Sequence, residues 1–401
     1  MPTEIRWNPF DPAHIRDPYR MYKQLQENDP VHCTSRNEWV ITRYDDVKSI
    51  LKNPAVRVGN RKEWFEKGIP YFNQGEADLR YIHEAIHLFI LFLNPPEHTR
   101  IRNFVNKAWA NQNVSNIIAE NIKYLFGQIK NKEFDLVKEF AQPLPILTIS
   151  KILGIPPADY EYLKDLGMTM IGSTNLYHNY RELVELSDAA KKFITYFTNQ
   201  IQLKTDHPDE GLISQLIHQN QIDKELNEKE LVSICIFLFI AGEETTASSI
   251  STGIFHLLSQ RYLYEYLKAH PDRLPAAREE LLRYDSPVQI LGRISTTKIT
   301  INGIIIPPES SLIIVLAAAN RDPRIFEQPD ELNFDRINKK HLTFGWGPHF
   351  CMGEWLGRAE IAMGMGALFK TYPNLHLVDQ DLTWRKNVSI RCLTKLMVAT
   401  D

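Results

Sequence analysis

A single thiol set in a glycine-rich turn is where this chain concentrates its chemistry. The segment Phe344-Gly345-Trp346-Gly347-Pro348-His349-Phe350-Cys351-Met352-Gly353 is followed at once by Leu356, Ala359, Met363 and Ala367. Their spacing predicts one face of a helix. Cys351 therefore stands just ahead of a helix N-terminus, where the dipole and unpaired backbone N–H groups lower a thiol's pKa. The glycines let the backbone turn sharply and lie close to a bulky flat ligand.

Such a thiolate can serve as a nucleophile, a metal ligand or a haem ligand. His349 shares the tight loop, and no other Cys or His stands at zinc spacing. A nucleophile needs a base that sequence order does not place. A second constellation, Ala241-Gly242-Glu243-Glu244-Thr245-Thr246, lies in the most apolar stretch of the chain. Glycine costs about 1 kcal/mol against alanine inside a helix, and a buried, unpaired carboxylate costs several kcal/mol. Phe237, Ala241, Thr245 and Ser248 share one helix face. An acid and a hydroxyl in a core helix suit a site that moves protons, with Glu243 expected to face solvent. Glu280-Leu281-Leu282-Arg283 sets opposite charges one helical turn apart, which alone reads as an ordinary surface pair.

Phe344, Gly347, His349, Cys351 and Gly353 together resemble the haem-binding loop of the cytochrome P-450 family, Phe-x-x-Gly-x-(Arg/His)-x-Cys-x-Gly. Ala241-Gly242-Glu243-Glu244-Thr245-Thr246 is similar to that family's oxygen-activation motif, Ala-Gly-x-(Asp/Glu)-Thr-Thr. The resemblance implies heme b (iron protoporphyrin IX) with Cys351 as its axial metal ligand. It implies that Thr245 supports dioxygen and Glu244 relays protons, which makes these two the catalytic residues. His98, Arg102, Arg293 and His349 match positions that hold the propionates, and Phe344, Gly353 and Ala241 complete the cofactor-binding set. Glu280 and Arg283 match the Glu-x-x-Arg motif, in which a third residue, here Arg336, closes a structural lock. Electrons are implied from a separate ferredoxin or flavodoxin and its reductase, since no flavin or nicotinamide domain is fused. Arg100, Lys107, Lys339, Lys340 and Arg358 are the basic residues the resemblance places where that acidic partner docks. The resemblance extends to Trp384-Arg385-Lys386-Asn387; Asn94 departs from it, standing where many relatives have Asp.

The elements that must position these groups are mostly helical. Helices are predicted over 19–27, 45–51, 114–129, 141–153, 158–170, 180–203 and 211–220, with another starting near Glu97. Asn227 and Glu230 resemble a capping box that opens the longest helix, expected to run unbroken to about Gln260. Strands are predicted over 31–34, 38–43, 289–295, 298–301, 311–315, 375–378 and 388–398, with a short extended piece at 134–137. Residues 54–90 carry many aromatics without a steady period and read as a long functional loop. The expected fold class is mainly α with small β-sheets (α+β), the cytochrome P-450 fold, with haem between the long central helix and the Cys-loop helix. No linker or repeat divides the 401 residues, so a single domain over 1–401 is expected.

Composition bounds the rest. A net charge of −3 gives no sign of nucleic-acid or membrane binding. Cys33, Cys235, Cys351 and Cys392 are scattered, which does not suggest a disulfide framework. The N-terminus lacks a signal-peptide pattern, and the longest apolar run, Leu231 to Gly242, is short for a bilayer. The expectation is a soluble, cytoplasmic, bacterial-type monomer. It inserts one oxygen atom from O2 into a small lipophilic molecule, by hydroxylation or epoxidation, in a setting such as polyketide-like secondary metabolism. A peroxide-driven peroxygenase and a non-catalytic haem-binding or sensing protein are the alternatives.

Overall fold

The computed structural model describes residues 5–59, 78–109 and 114–400. These fold as helices with small sheets, and the chain divides into two compact units. One comprises Met1–Arg57, Ile122–Leu144 and Thr245–Asp401, the other Val58–Asn121 and Pro145–Glu244.

The first unit holds every described strand: β1 (Val31–Cys33), β2 (Glu38–Ile41), β3 (Val56–Arg57), β4 (Glu133–Asp135), β5 (Ile290–Ser295), β6 (Ile299–Ile301), β7 (Ile304–Ile306), β8 (Ser311–Val315), β9 (His376–Leu377) and β10 (Met397–Ala399). The largest sheet runs β1-β2-β8-β5-β3. Only β2 and β8 pair in parallel there, with Val40 opposite Ile313. Leu312–Val315 are buried because β2 and β5 flank β8 and helices cover it; Ile41, Tyr44, Val47, Ile314, Leu316 and Phe326 share one core cluster. β6 and β7 form a hairpin. Its turn is Asn302-Gly303, with φ of 49° and 78°, the pair of positive angles that Asn-Gly favours. That second strand was legible in the dipeptide, although the expected strand stopped at Ile301.

Two other expectations shift. The chain leaves β4 through a π-helical turn, Val137–Ala141, before the helix Pro143–Leu153 begins. The strand expected over 388–398 shrinks to β10, preceded by single bridges of Ile390 with Val288 and Leu393 with Trp384. Asn387 accounts for the break: its Oδ1 accepts the Ser389 and Ile390 N–H groups at 2.8 and 3.1 Å, which makes a turn.

The helix after the cysteine loop, Glu354–Thr371, is present, but its face is not the expected one. Leu356, Ile361, Gly364, Met365, Leu368 and Phe369 are buried, while Ala359, Met363 and Ala367 are only partly so. Glycines decide this. A Cβ on Gly253 would fall 2.3 Å from Met365 Cε, and one on Gly364 would meet Leu144 and Ile250 at 3.2 and 3.5 Å. Helix Glu354–Thr371 can therefore press its Gly364–Met365 side against the helix that carries Ile250 and Gly253.

Every described element of the second unit is a helix. Helix Tyr180–Asp206 starts with a capping box between Asn179 and Glu182 and buries Phe193 and Phe197 against Phe239, with ring centroids 5.6 and 6.4 Å apart. Ser187 ties it to helix Arg80–Ile86, donating to the Asp78 carbonyl at 2.7 Å and accepting the Ile82 N–H at 3.2 Å. Asn94 makes a reciprocal pair with Val58, 2.9 Å to its N–H and 3.1 Å to its carbonyl. The amide supplies both donor and acceptor, which an Asp could not. Of the expected aromatic loop, residues 60–77 lie outside the described residues, and Arg80–Ile86 is helical.

The Asn227/Glu230 capping box is present. The long helix it opens does not run unbroken: it ends at Ala241, Gly242 caps it, and a new helix runs Glu243–Ser259. The span Glu228–Ser259 has the length and hydropathy to cross a bilayer, but 78% of its most apolar window is buried in the protein, as in a core helix.

Candidate active site

Cys351 sits where the loop closes onto the helix. Its N–H donates to the Phe344 carbonyl at 2.9 Å, which pins the two ends of the glycine turn together. Gly345 and Gly347 have φ of 75° and 77°, a region side chains disfavour. Gly347 also passes so close to the chain before it that a Cβ would lie 2.5 Å from the Leu51 carbonyl oxygen. The Cys351 residue is exposed, whereas Cys235 and Cys392 are buried. Burial pushes the Cys235 thiol up to about 12, so it stays protonated. Phe344 and Phe350 meet at 6.5 Å, and a Cβ on Gly353 would meet nothing within 4 Å. The turn thus leaves the Cys351 residue exposed. His349 lies on the same turn, half-buried.

The core helix opens in the same way. From Leu231 to Ile240 every residue but Phe237 is buried, yet Ala241 is exposed, and Gly242 and Thr245 are half-buried. Phe237, Ala241 and Thr245 recur every fourth residue, so an uncovered stripe runs along one face; Ser248, expected on that face, is 1% exposed. Glu244 is 4% exposed and Glu243 1%, so the expectation that Glu243 faces solvent is overturned. Its carboxylate lies over helix Tyr160–Met170 at Gly167, where a Cβ would come within 2.6 Å of Oε2. Both acids occupy the first turn after the Gly242 break, where unpaired N–H groups favour negative charge. The neighbouring hydroxyls are absorbed by the backbone: Ser249, Ser251 and Thr252 donate to carbonyls four residues back at 2.7, 2.8 and 2.8 Å.

Arg293, in β5, is 6% exposed. It donates to the Gly292 carbonyl at 2.7 Å and has no carboxylate partner among the described residues. Burial lowers its pKa to about 10. A buried guanidinium in that condition is complementary to an anion. In the second unit His98, 2% exposed, and the half-buried Arg102 stand one turn apart on helix Glu97–Trp109.

Glu280 is no surface residue: its side chain and that of Arg283 are each 1% exposed. Arg283 donates to its carboxylate at 2.8 and 2.9 Å and Arg336 at 3.1 Å. The two arginines then reach the carbonyls of Asn320, Gln328, Pro329 and Glu331. The lock thus gathers the irregular chain ahead of the cysteine loop. The expected basic docking set fares less well. Arg100 pairs with Glu230, Lys107 with Asp223, and Arg358 with Glu279 and Glu354. Only Lys339 and Lys340 of the five form no ion pair among the described residues. The pairs of Arg100, Lys107 and Arg358 with Glu230, Asp223 and Glu279 could not be read from sequence, because those acids come from other helices.

Sequence reasoning missed two clusters. Glu279 collects Arg278, Arg358 and His341, and its one signal was a second acid beside Glu280. Asp285 accepts from Tyr19, His256 and Arg391 at 3.0, 2.9 and 3.1 Å, a set scattered across the chain with no local signal.

The cysteine turn and the buried Arg293 guanidinium both belong to the first unit, and comparisons with known proteins identify the family. The cytochrome P450 family model matches residues 166–389. Over 99% of both chains, the protein is 31% identical to the polyketide biosynthesis cytochrome P450 PksS of Bacillus subtilis (strain 168). It is 32% identical to the biotin biosynthesis cytochrome P450 of the same organism, over 96% of each. The crystal structure of P450BioI in complex with hexadec-9Z-enoic acid ligated acyl carrier protein superposes with a TM-score of 0.88 at 30% identity. That superposition covers 97% of this chain and 100% of the other. The chain belongs to the cytochrome P450 family. It is a haem-dependent monooxygenase that draws its electrons from redox partners.

Proposed function

We propose that Cys351 would hold the haem through its thiolate, and that residues 1–401 form a single catalytic domain. The observation that carries this is the cysteine turn: Cys351 is exposed, its N–H is tied to Phe344, and a helix begins just after it. The family match, which takes in parts of both units, supports the single domain. Arg293 fits a haem propionate because it is buried and cationic without a carboxylate partner among the described residues; His98, Arg102 and His349 complete that donor set. Phe344, Gly353 and Ala241 would complete the residues that hold the cofactor. The haem supplies the oxidising chemistry when bound. The protein holds it, keeps water out, and delivers protons through the buried Glu244 carboxylate and the Thr245 hydroxyl. That acid–alcohol pair favours use of O2 over direct use of peroxide.

The substrate in this reading is a lipophilic small molecule of the polyketide or fatty-acyl kind. The names of PksS and of the structure holding an acylated carrier protein support it, as does the apolar, half-buried Phe237. The enzyme works as a cytoplasmic monomer with a ferredoxin-type donor. The test is Cys351→Ser, which should fold but lose the thiolate signature of the ferrous–carbonyl spectrum. A retained signature would remove Cys351 from the site.

A further inference from the structure

Glu279 stands beside Glu280 on helix Leu274–Tyr284 but turns its carboxylate to other partners. Arg358 donates to it from Nε and Nη2 at 3.1 and 3.0 Å, Arg278 from Nε at 2.7 Å, and His341 from Nε2 at 3.2 Å. His341 Nδ1 accepts the Thr343 N–H at 3.3 Å, which leaves the ring proton on Nε2. Burial pushes the Glu279 carboxyl up, but hydrogen bonds from His341 and Arg358 outweigh it and hold it well below the usual carboxylate range.

What Glu279 orders lies next to the thiol. The Arg358 guanidinium sits over the Phe344 ring, 4.6 Å from its centroid. The His341 ring meets the same phenyl at 5.9 Å. The Phe344 carbonyl receives the Cys351 N–H at 2.9 Å. Glu354, on the helix of Arg358 itself, also pairs with that arginine, whereas Glu279 reaches its guanidinium from a different helix.

We propose that Glu279 is a positioning residue for the cysteine loop: through Arg358 and His341 it places Phe344 and sets the charge felt at the Cys351 sulfur. The inference rests on Cys351 being the haem ligand. Outer-shell partners of this sort tune a metal site through orientation and charge. Positive charge near the iron favours the reduced state, so the two ends of the ion pair act in opposite directions. Glu279→Gln keeps the shape and removes one of the two carboxylates paired with the guanidinium, leaving Glu354, which raises the reduction potential. Arg358→Gln removes the stacked cation, which lowers it. A merely structural role would loosen the loop in both variants and move both the same way.

The experiment is a spectroelectrochemical titration of the haem-loaded, full-length protein. It compares wild type, Glu279→Gln and Arg358→Gln, and the same two changes in a Phe344→Leu background. Ferrous–carbonyl spectra are recorded for each and for Cys351→Ser. Shifts of opposite sign that shrink in the Phe344→Leu background support the proposal, because coupling through a shared residue is non-additive. Absent shifts, shifts of one sign, or shifts that persist at full size without Phe344 overturn it. Should Glu279→Gln fail to fold, the Arg358→Gln shift and its loss with Phe344→Leu decide the same question. A thiolate spectrum surviving in Cys351→Ser overturns the ligand assignment itself, and the positioning role with it. Loss of that spectrum in Cys351→Ser together with unmoved potentials overturns the positioning role alone.

Discussion

Thr245 and Arg293 show how differently single residues can be costly. Thr245 keeps a half-buried place on the uncovered stripe of its helix while Ser249 donates back to its carbonyl at 2.7 Å. Its hydroxyl is proposed to hand protons on from Glu244. Thr245→Ala should therefore leave haem content, substrate binding and electron uptake intact and lower the product formed per reductant consumed, with hydrogen peroxide released instead. General acid–base help is typically worth ~10²–10⁴ in rate, so an unchanged ratio of product to reductant would remove Thr245 from the proton route. Arg293 presents the opposite case, a charge that burdens the protein without its cofactor. An unpaired buried charge costs several kcal/mol. Arg293→Leu should thus melt no lower than wild type as apoprotein, and higher if the site stays dry. Yet it should lose haem to an acceptor protein about tenfold faster or more, since a charge-assisted bond contributes about 1.5–3 kcal/mol. An apoprotein destabilised by the change, with unaltered haem release, would assign Arg293 to the fold alone.

At the scale of elements, the glycine turn and the Glu280 lock solve one problem. The chain from Asn320 to Leu342 has little regular structure to hold it, yet it must deliver Cys351 to one place. The lock substitutes side-chain donors for a ladder: two buried guanidiniums on one carboxylate, each reaching backbone carbonyls. Removing the carboxylate strands both cations. Glu280→Ala should cost about 3–5 kcal/mol, read as a lowered midpoint in urea, and should abolish haem loading before it abolishes helical content. A variant that loads haem normally would mean the segment is held by its turns alone.

Across the first unit as a whole, Asp285 ties distant segments together. Tyr19 comes from the N-terminal helices, His256 from the end of the core helix, and Arg391 from the C-terminal segment, where Arg391 also donates to the Ile15 and Arg16 carbonyls at 2.9 and 3.0 Å. Burial pushes the Asp285 carboxyl up, but Arg391 and His256 outweigh it and hold it well below the usual range. Its folded-state pKa is depressed, so the stability it contributes is present above the ordinary carboxylate pKa of about 4 and is lost as pH falls below it. Asp285→Asn should lower the unfolding midpoint at pH 7, and the gap to wild type should narrow between about pH 4 and pH 2. A gap constant over that window would mean that the carboxylate is not titrating against this network.

The amino-acid sequence by itself determined the chemistry and most of the elements. Cys351 in its glycine turn, the Glu244-Thr245 pair and the capping box at Asn227 are local patterns, and local patterns survive in one dimension. The β1–β2 hairpin and the helix Tyr180–Asp206 were legible for the same reason, since their periodicity and turn residues lie within the segments themselves. Tertiary structure decided which face of each element is covered. It buried Glu243, because Gly167 on another helix leaves room for a carboxylate. It turned helix Glu354–Thr371 so that Gly364 and Met365 face inward, because Gly253 admits Met365. It paired Arg100, Lys107 and Arg358 with acids far along the chain, and brought Glu279 and Asp285 to partners that no spacing rule connects. Burial and ion pairing depend on what packs from elsewhere, so they exist only once the chain has closed on itself.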